Sequence, residues 1–117
     1  MESILTSIKK LLGIEEDYEH FDVDIITHIN SVLNILTQLG IGSKDGYSIT
    51  DRTQTWEDFL GKGAVNVNAV RTYVYLKVRL LFDPPTSSAA VESINRLAGE
   101  MEWRLNVTAE TPKDEST

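Results

Sequence analysis

Apolar positions recur with a helical period in several stretches of this chain, and one is far denser than the rest. It is Ala69-Val-Arg-Thr-Tyr-Val-Tyr-Leu-Lys-Val-Arg-Leu-Leu-Phe82, which runs straight into Asp83-Pro84-Pro85. With Val70 at zero and about 100° per residue, Ala69, Val70, Tyr73, Val74, Leu76, Val78, Leu80 and Leu81 cover well over half the circumference. Arg71, Thr72, Tyr75 and Arg79 share the remaining arc. A helix apolar over that much of its surface has to be covered by other helices, so the pattern predicts a central helix from Val67 to Phe82. Lys77 falls in the middle of its apolar arc. An ammonium there needs a carboxylate, a path outward along its own stem, or a neighbouring subunit.

Four further elements follow from the same reading. Ile4, Leu5, Ile8, Leu11 and Leu12 form one face of a short amphipathic helix that Gly13 ends. Glu15-Glu16-Asp17 is then an acidic loop. A second helix is expected from Asp22, whose carboxylate can cap free amides, with Asp24 near the positive helix end. Its stripe is Ile25, Ile29, Val32, Leu33, Leu36 and Leu39, with Thr27, Asn30, Ser31, Asn34, Thr37 and Gln38 on the other side. Residues 41–55 break the period. Tyr47-Ser48-Ile49-Thr50 alternates like a very short strand, which reads as a loop with extended character because so small a pairing is marginal. Thr55-Trp-Glu-Asp-Phe-Leu-Gly61 predicts a capped single turn that pins the loop through Trp56, Phe59 and Leu60.

Asp83 precedes proline and is pushed out of helical geometry, so the chain must turn there. Thr86, Ser87 or Ser88 can cap a last helix with the stripe Val91, Ile94, Ala98, Met101 and Leu105, widened by Ala90 and Leu97. Glu92 with Arg96, and Glu100 with Arg104, stand at i,i+4 on its outer face. This helix and the central one should form an antiparallel hairpin. Periodicity stops at Thr108. The expected organisation is an all-α bundle of four to five helices over residues 1–107, with an irregular loop near 41–55 and a flexible tail over 108–117.

Composition narrows the function. A net charge of −7 with eleven scattered basic residues argues against a grip on nucleic acid, which needs cations gathered on one face. No apolar run reaches the roughly 18–20 residues of a membrane span, and no signal-peptide pattern opens the sequence. The absence of cysteine removes disulfides, thiolate metal sites and cysteine nucleophiles together. His28 stands near Asp24 and His20, but the spacing of helical zinc enzymes is missing, and a half-buried structural role is the simpler reading. Gly61-Lys62-Gly63 lacks the rest of a phosphate-binding loop, and no nucleophile elbow is present. No catalytic residue, cofactor or metal is expected.

Two placements point instead to protein contacts. Lys77 sits on a buried-looking face, where a polar residue can fix partner register. Trp103 points away from the last helix's apolar stripe, beside Arg96, Gly99 and Glu100, and tryptophan and arginine are enriched among interface hot spots. Arg71, Lys77, Arg79, Trp103 and Arg104 are therefore the candidate contact residues.

The segment Tyr73-Val-Tyr-Leu-Lys-Val-Arg-Leu-Leu-Phe-Asp-Pro-Pro85 resembles the head–tail connector, or adaptor, proteins of tailed bacteriophages. So do Phe21-Asp-Val-Asp-Ile-Ile26 with Ile29-Asn-Ser31, Trp56-Glu-Asp-Phe-Leu60 and Glu102-Trp-Arg-Leu-Asn106. Phe-Asp-Pro-Pro and Glu-Trp-Arg-Leu-Asn are the distinctive pieces, and the likeness runs from Ser3 to Asn106. It implies an all-α subunit, encoded by a phage or prophage, that forms a ring, typically a dodecamer, beneath the portal protein. Such a ring is a virion component, assembled in the bacterial cytoplasm. It extends the DNA channel without binding DNA specifically and presents a surface to the next head-completion or tail protein. Family members often rearrange a terminal segment on docking, which would fall here to Thr108–Thr117. The competing readings are a tail-completion factor and a helical DNA-binding regulator.

Overall fold

The computed structural model describes residues 2–42 and 45–110. Five helices account for its regular structure: α1 (Ile4–Leu11), α2 (Asp22–Gln38), α3 (Trp56–Leu60), α4 (Val67–Phe82) and α5 (Ser88–Glu110). Among the described residues there is no strand, only an isolated antiparallel bridge between Ser3 and Thr55. No helix there is long and apolar enough to cross a membrane.

The central position of α4 follows from its wide apolar arc. It packs against α1 and α2 on one side and against α5, while α5 rests chiefly on α4. Val70, Tyr73, Val74 and Val78 are fully buried. The helix stops where the sequence requires, with pre-proline Asp83 at φ −145° and ψ 67°. Ser87 then caps α5, its hydroxyl accepting from the Ala90 amide at 3.3 Å. The hairpin is antiparallel: Ala69 shares a hollow with Met101 and Leu105, and Lys77 shares another with Asn95. Towards the C-terminal end of α4 the cover thins, and Leu81 is 54% exposed. Leu97, expected to widen the stripe of α5, is also exposed, because α5 rests chiefly on α4.

α1 and α3 hold each other. The Ile4 amide donates to the Gln54 carbonyl at 3.0 Å, and the Trp56 amide to Glu2 at 3.2 Å. The Trp56 indole is completely buried and donates to the Ser7 hydroxyl at 2.8 Å. Thr55 and Asp58 form a reciprocal capping box on α3. The loop over 45–55 forms no strand and turns at residues 51–53. Asn30 on α2 does the work of a strand partner, accepting from the Ile49 amide at 2.7 Å and donating to its carbonyl at 3.0 Å. Gly42 makes the turn into this loop at φ +82°, and a Cβ there would stand 2.5 Å from the Phe59 ring.

The start of α2 differs from expectation. Phe21 is the N-cap and makes no side-chain capping bond. The Asp22 carboxylate is drawn to Lys9 instead, at 2.8 Å. α5 continues through Thr108 to Glu110, past the start of the expected tail, and the rest of that tail lies outside the described residues.

Candidate functional site

The five candidate contact residues divide between two helices and several settings. Arg71 is engaged within its own chain, with Glu2 and Asn68. Arg79 donates to the Tyr75 hydroxyl at 3.2 Å on the polar arc of α4. Lys77 is half-buried and borders a hollow of about 300 Å³ with Ser31, Ile35, Leu81 and Asn95. Among the described residues no carboxylate pairs with it. Arg104 pairs with Glu100 at 2.6 Å, both side chains exposed, which is worth only a few tenths of a kcal/mol in an i,i+4 pair. The expected companion pair is not formed, and Arg96 is exposed with no carboxylate partner among the described residues. Trp103 is 67% exposed. At Gly99, one turn before it, an added Cβ would meet nothing, so the surface beside the indole is open.

The most deeply buried charge is one the helical pattern did not single out. Lys9 is 2% exposed, and its ammonium donates to the carbonyls of Glu16 at 3.0 Å and Tyr18 at 2.7 Å while pairing with Asp22. These acceptors tie the end of α1, the acidic loop and the start of α2 to one point. The only signal in the sequence is that Lys9 follows Leu5 by one turn, at the edge of the apolar face. Tyr73 is likewise buried and donates its hydroxyl to Glu102 at 2.7 Å, joining α4 to α5. Burial first, then the hydrogen bond and charge of Glu102, push its phenol well above the usual tyrosine range.

Beside the Lys9 cluster lies a second hollow of about 290 Å³. Leu5, Val23 and Ile26 supply its apolar lining and Glu16, Glu19 and Asp51 its carboxylates, with Arg52 as the opposing charge. Lys9 also borders it, but that charge is already spent on Asp22. Val23 on its rim is 77% exposed. Hydrogen bonds from Thr53, the hydroxyl first and the amide second, hold the Asp51 carboxyl below its usual range, so it stays charged.

Chemistry is sparse by comparison. His28 is half-buried, and exposed His20 meets Phe21 edge-on at 4.8 Å between ring centroids. Among the described residues no group of three or more His, Asp or Glu could hold a metal ion. What the surface offers is contact area: an exposed indole on α5 and an acidic, apolar-lined edge at α1 and α2.

Comparison with known proteins agrees with that character. No curated protein and no solved structure matches the chain. The family model described as phage connector protein matches residues 4–112. That span takes in all five helices, from the buried Ile4 of α1 to the end of α5, and the chain therefore belongs to the phage connector protein family.

Proposed function

We propose that this chain is a connector subunit that closes into a ring beneath the portal protein and extends the channel through which phage DNA passes. The observation that carries the reading is the family match across the whole helical domain. Connector membership gives the chain a structural role at the phage head–tail junction, with portal and tail proteins as its partners and the virion as its place. The surface supports the finer statement, because Trp103 stands in solvent on a helix that buries only one of its faces. An overall charge of −7 suits a channel element past which DNA slides without sticking.

Native mass spectrometry over a wide concentration range, with and without portal protein and with negative-stain images, tests this reading. Closed rings of about a dozen copies are expected, since one heterologous interface repeated by rotation closes a ring. A compact two-fold dimer, or a monomer that joins neither itself nor the portal, would overturn it. A chain that binds tail components and never portal would be a tail-completion factor. Salt-dependent DNA retardation would mark a regulator. Docking through residues 108–117 is a separate proposal, and portal binding unchanged after proteolytic removal of the tail refutes it.

A further inference from the structure

Lys77 is half-buried on α4 with no carboxylate partner among the described residues. The hollow beside it opens where α2, α4 and α5 meet, and the rest of its lining is uncharged: Val32, Ile35, Leu80 and exposed Leu81, with Ser31 and Asn95 as polar groups. From Ile25 to Gln38, α2 carries no Asp, Glu, Lys or Arg, and on α5 Glu92 and Arg96 flank Asn95 with opposite charges. The acidic hollow has the reverse character. Once Lys9 is paired with Asp22, it holds Glu16, Glu19 and Asp51 against Arg52, with exposed Val23 on its rim. Both hollows share α2, the acidic one through Asp22, Val23 and Ile26 and the cationic one through Ser31, Val32 and Ile35. At about 100° per residue these two sets point about 180° apart around the helix axis. They lie on either flank of the buried stripe of Ile25, Ile29, Leu33 and Leu36.

We propose that the Val23 edge of one copy seats in the Lys77 hollow of the next. This rests on the ring reading above and names the two surfaces that meet. A half-buried ammonium gains from a counter-ion because part of its hydration is already lost. Its own chain supplies none among the described residues, whereas the Val23 edge has carboxylates in surplus. The apolar parts match as well. Exposed Val23 would be covered by Leu80 and Leu81, and Leu81 would lose its contact with water. Because the two patches differ and stand on opposite flanks of α2, the contact is head-to-tail, and its repetition by rotation closes a ring.

Reciprocal charge reversal tests the pairing. The edge variant Glu16→Lys/Glu19→Lys changes only exposed side chains, so its circular dichroism and melting temperature should match the parent. The hollow variant is Lys77→Glu, and Lys77→Met, which keeps the apolar stem and drops the charge, replaces it if the glutamate lowers the melting temperature. The edge variant and Lys77→Glu should each raise the concentration needed for assembly by more than about tenfold, since like charges then face each other, and Lys77→Met should raise it less. An equimolar mixture of the edge variant and Lys77→Glu should assemble again, with alternating copies. The triple variant carrying all three changes in one chain should assemble by itself. Edge and hollow variants that form rings like the parent overturn the proposed surfaces while leaving the ring intact. Lys77→Glu or Lys77→Met forming normal rings but no longer binding portal would assign the hollow to the portal and overturn the pairing. Loss that neither the mixture nor the triple variant restores also overturns it, since the two faces then do not meet. A parent chain that never forms a ring overturns both this proposal and the ring reading.

Discussion

At the scale of single residues, the two buried polar anchors Lys9 and Tyr73 make opposite demands. Removing Lys9 leaves the Asp22 carboxylate, 23% exposed, and two backbone carbonyls without their donor. Lys9→Ala is expected to cost about 1–3 kcal/mol, because the carboxylate and carbonyls it served lose their donor. Urea unfolding measures it, and a loss below about 1 kcal/mol would show that the cluster is not a structural anchor. Tyr73 stays neutral. Its phenol is raised in the folded state by burial and by Glu102, whereas an unfolded tyrosine titrates near about 10. The folded state then holds its proton more tightly, so this stabilisation is complete below that pH and declines as pH rises above it. Tyr73→Phe should flatten the alkaline fall in stability relative to the parent. Tyr47, raised by burial and by Asp58, leaves a residual slope.

Single elements are held by a few polar contacts between segments distant in sequence. The loop after α2 has no ladder, so its attachment depends on Asn30 satisfying both backbone groups of Ile49, a residue only 1% exposed. Asn30→Ala should cost about 1–3 kcal/mol for the stranded amide and carbonyl. Limited proteolysis should then cut residues 45–55 faster while the helical signal in circular dichroism persists. Unchanged cleavage would mean that Trp56 and Phe59 alone secure the loop. α5 presents a different balance. It buries Ala98 and Leu105, half-buries Ile94 and Met101, and leaves Leu97 and Trp103 in solvent. A helix supported on one side in this way has a face to spare for a partner.

For the whole molecule, the exposed aromatic is what separates assembly from folding. Trp103→Ala removes an indole that the monomer does not bury, so its stability should stay within about 0.5 kcal/mol of the parent. If the indole anchors a subunit or portal contact, assembly should weaken by about 2 kcal/mol or more, roughly thirtyfold in the midpoint concentration. Thermal melts and native mass spectrometry read the two effects independently. Assembly at the parental midpoint would remove Trp103 from the interface.

Local sequence by itself determined the all-helical architecture, the span of α4, the capped turn at Thr55 and the break at Asp83, because each depends on neighbours within one or two turns. It also marked Trp103 as facing away from the apolar stripe. The antiparallel hairpin was legible for a related reason: a short connection across two prolines leaves little choice of direction. Only the tertiary structure decided which polar side chains meet. Lys9 and Lys77 look alike in sequence, each cationic beside apolar neighbours. Lys9 is enclosed because the acidic loop folds back over it, whereas Lys77 stands half-buried beside a hollow where cover thins. Asp22 could serve α2 as a cap or Lys9 as a counter-ion, and a nearby buried ammonium outweighs a solvent-accessible helix end. Asn30 lies nineteen residues from Ile49, and Tyr73 twenty-nine from Glu102. Such pairings are set by how helices stack, and a pattern with a period of 3.6 residues carries no record of them.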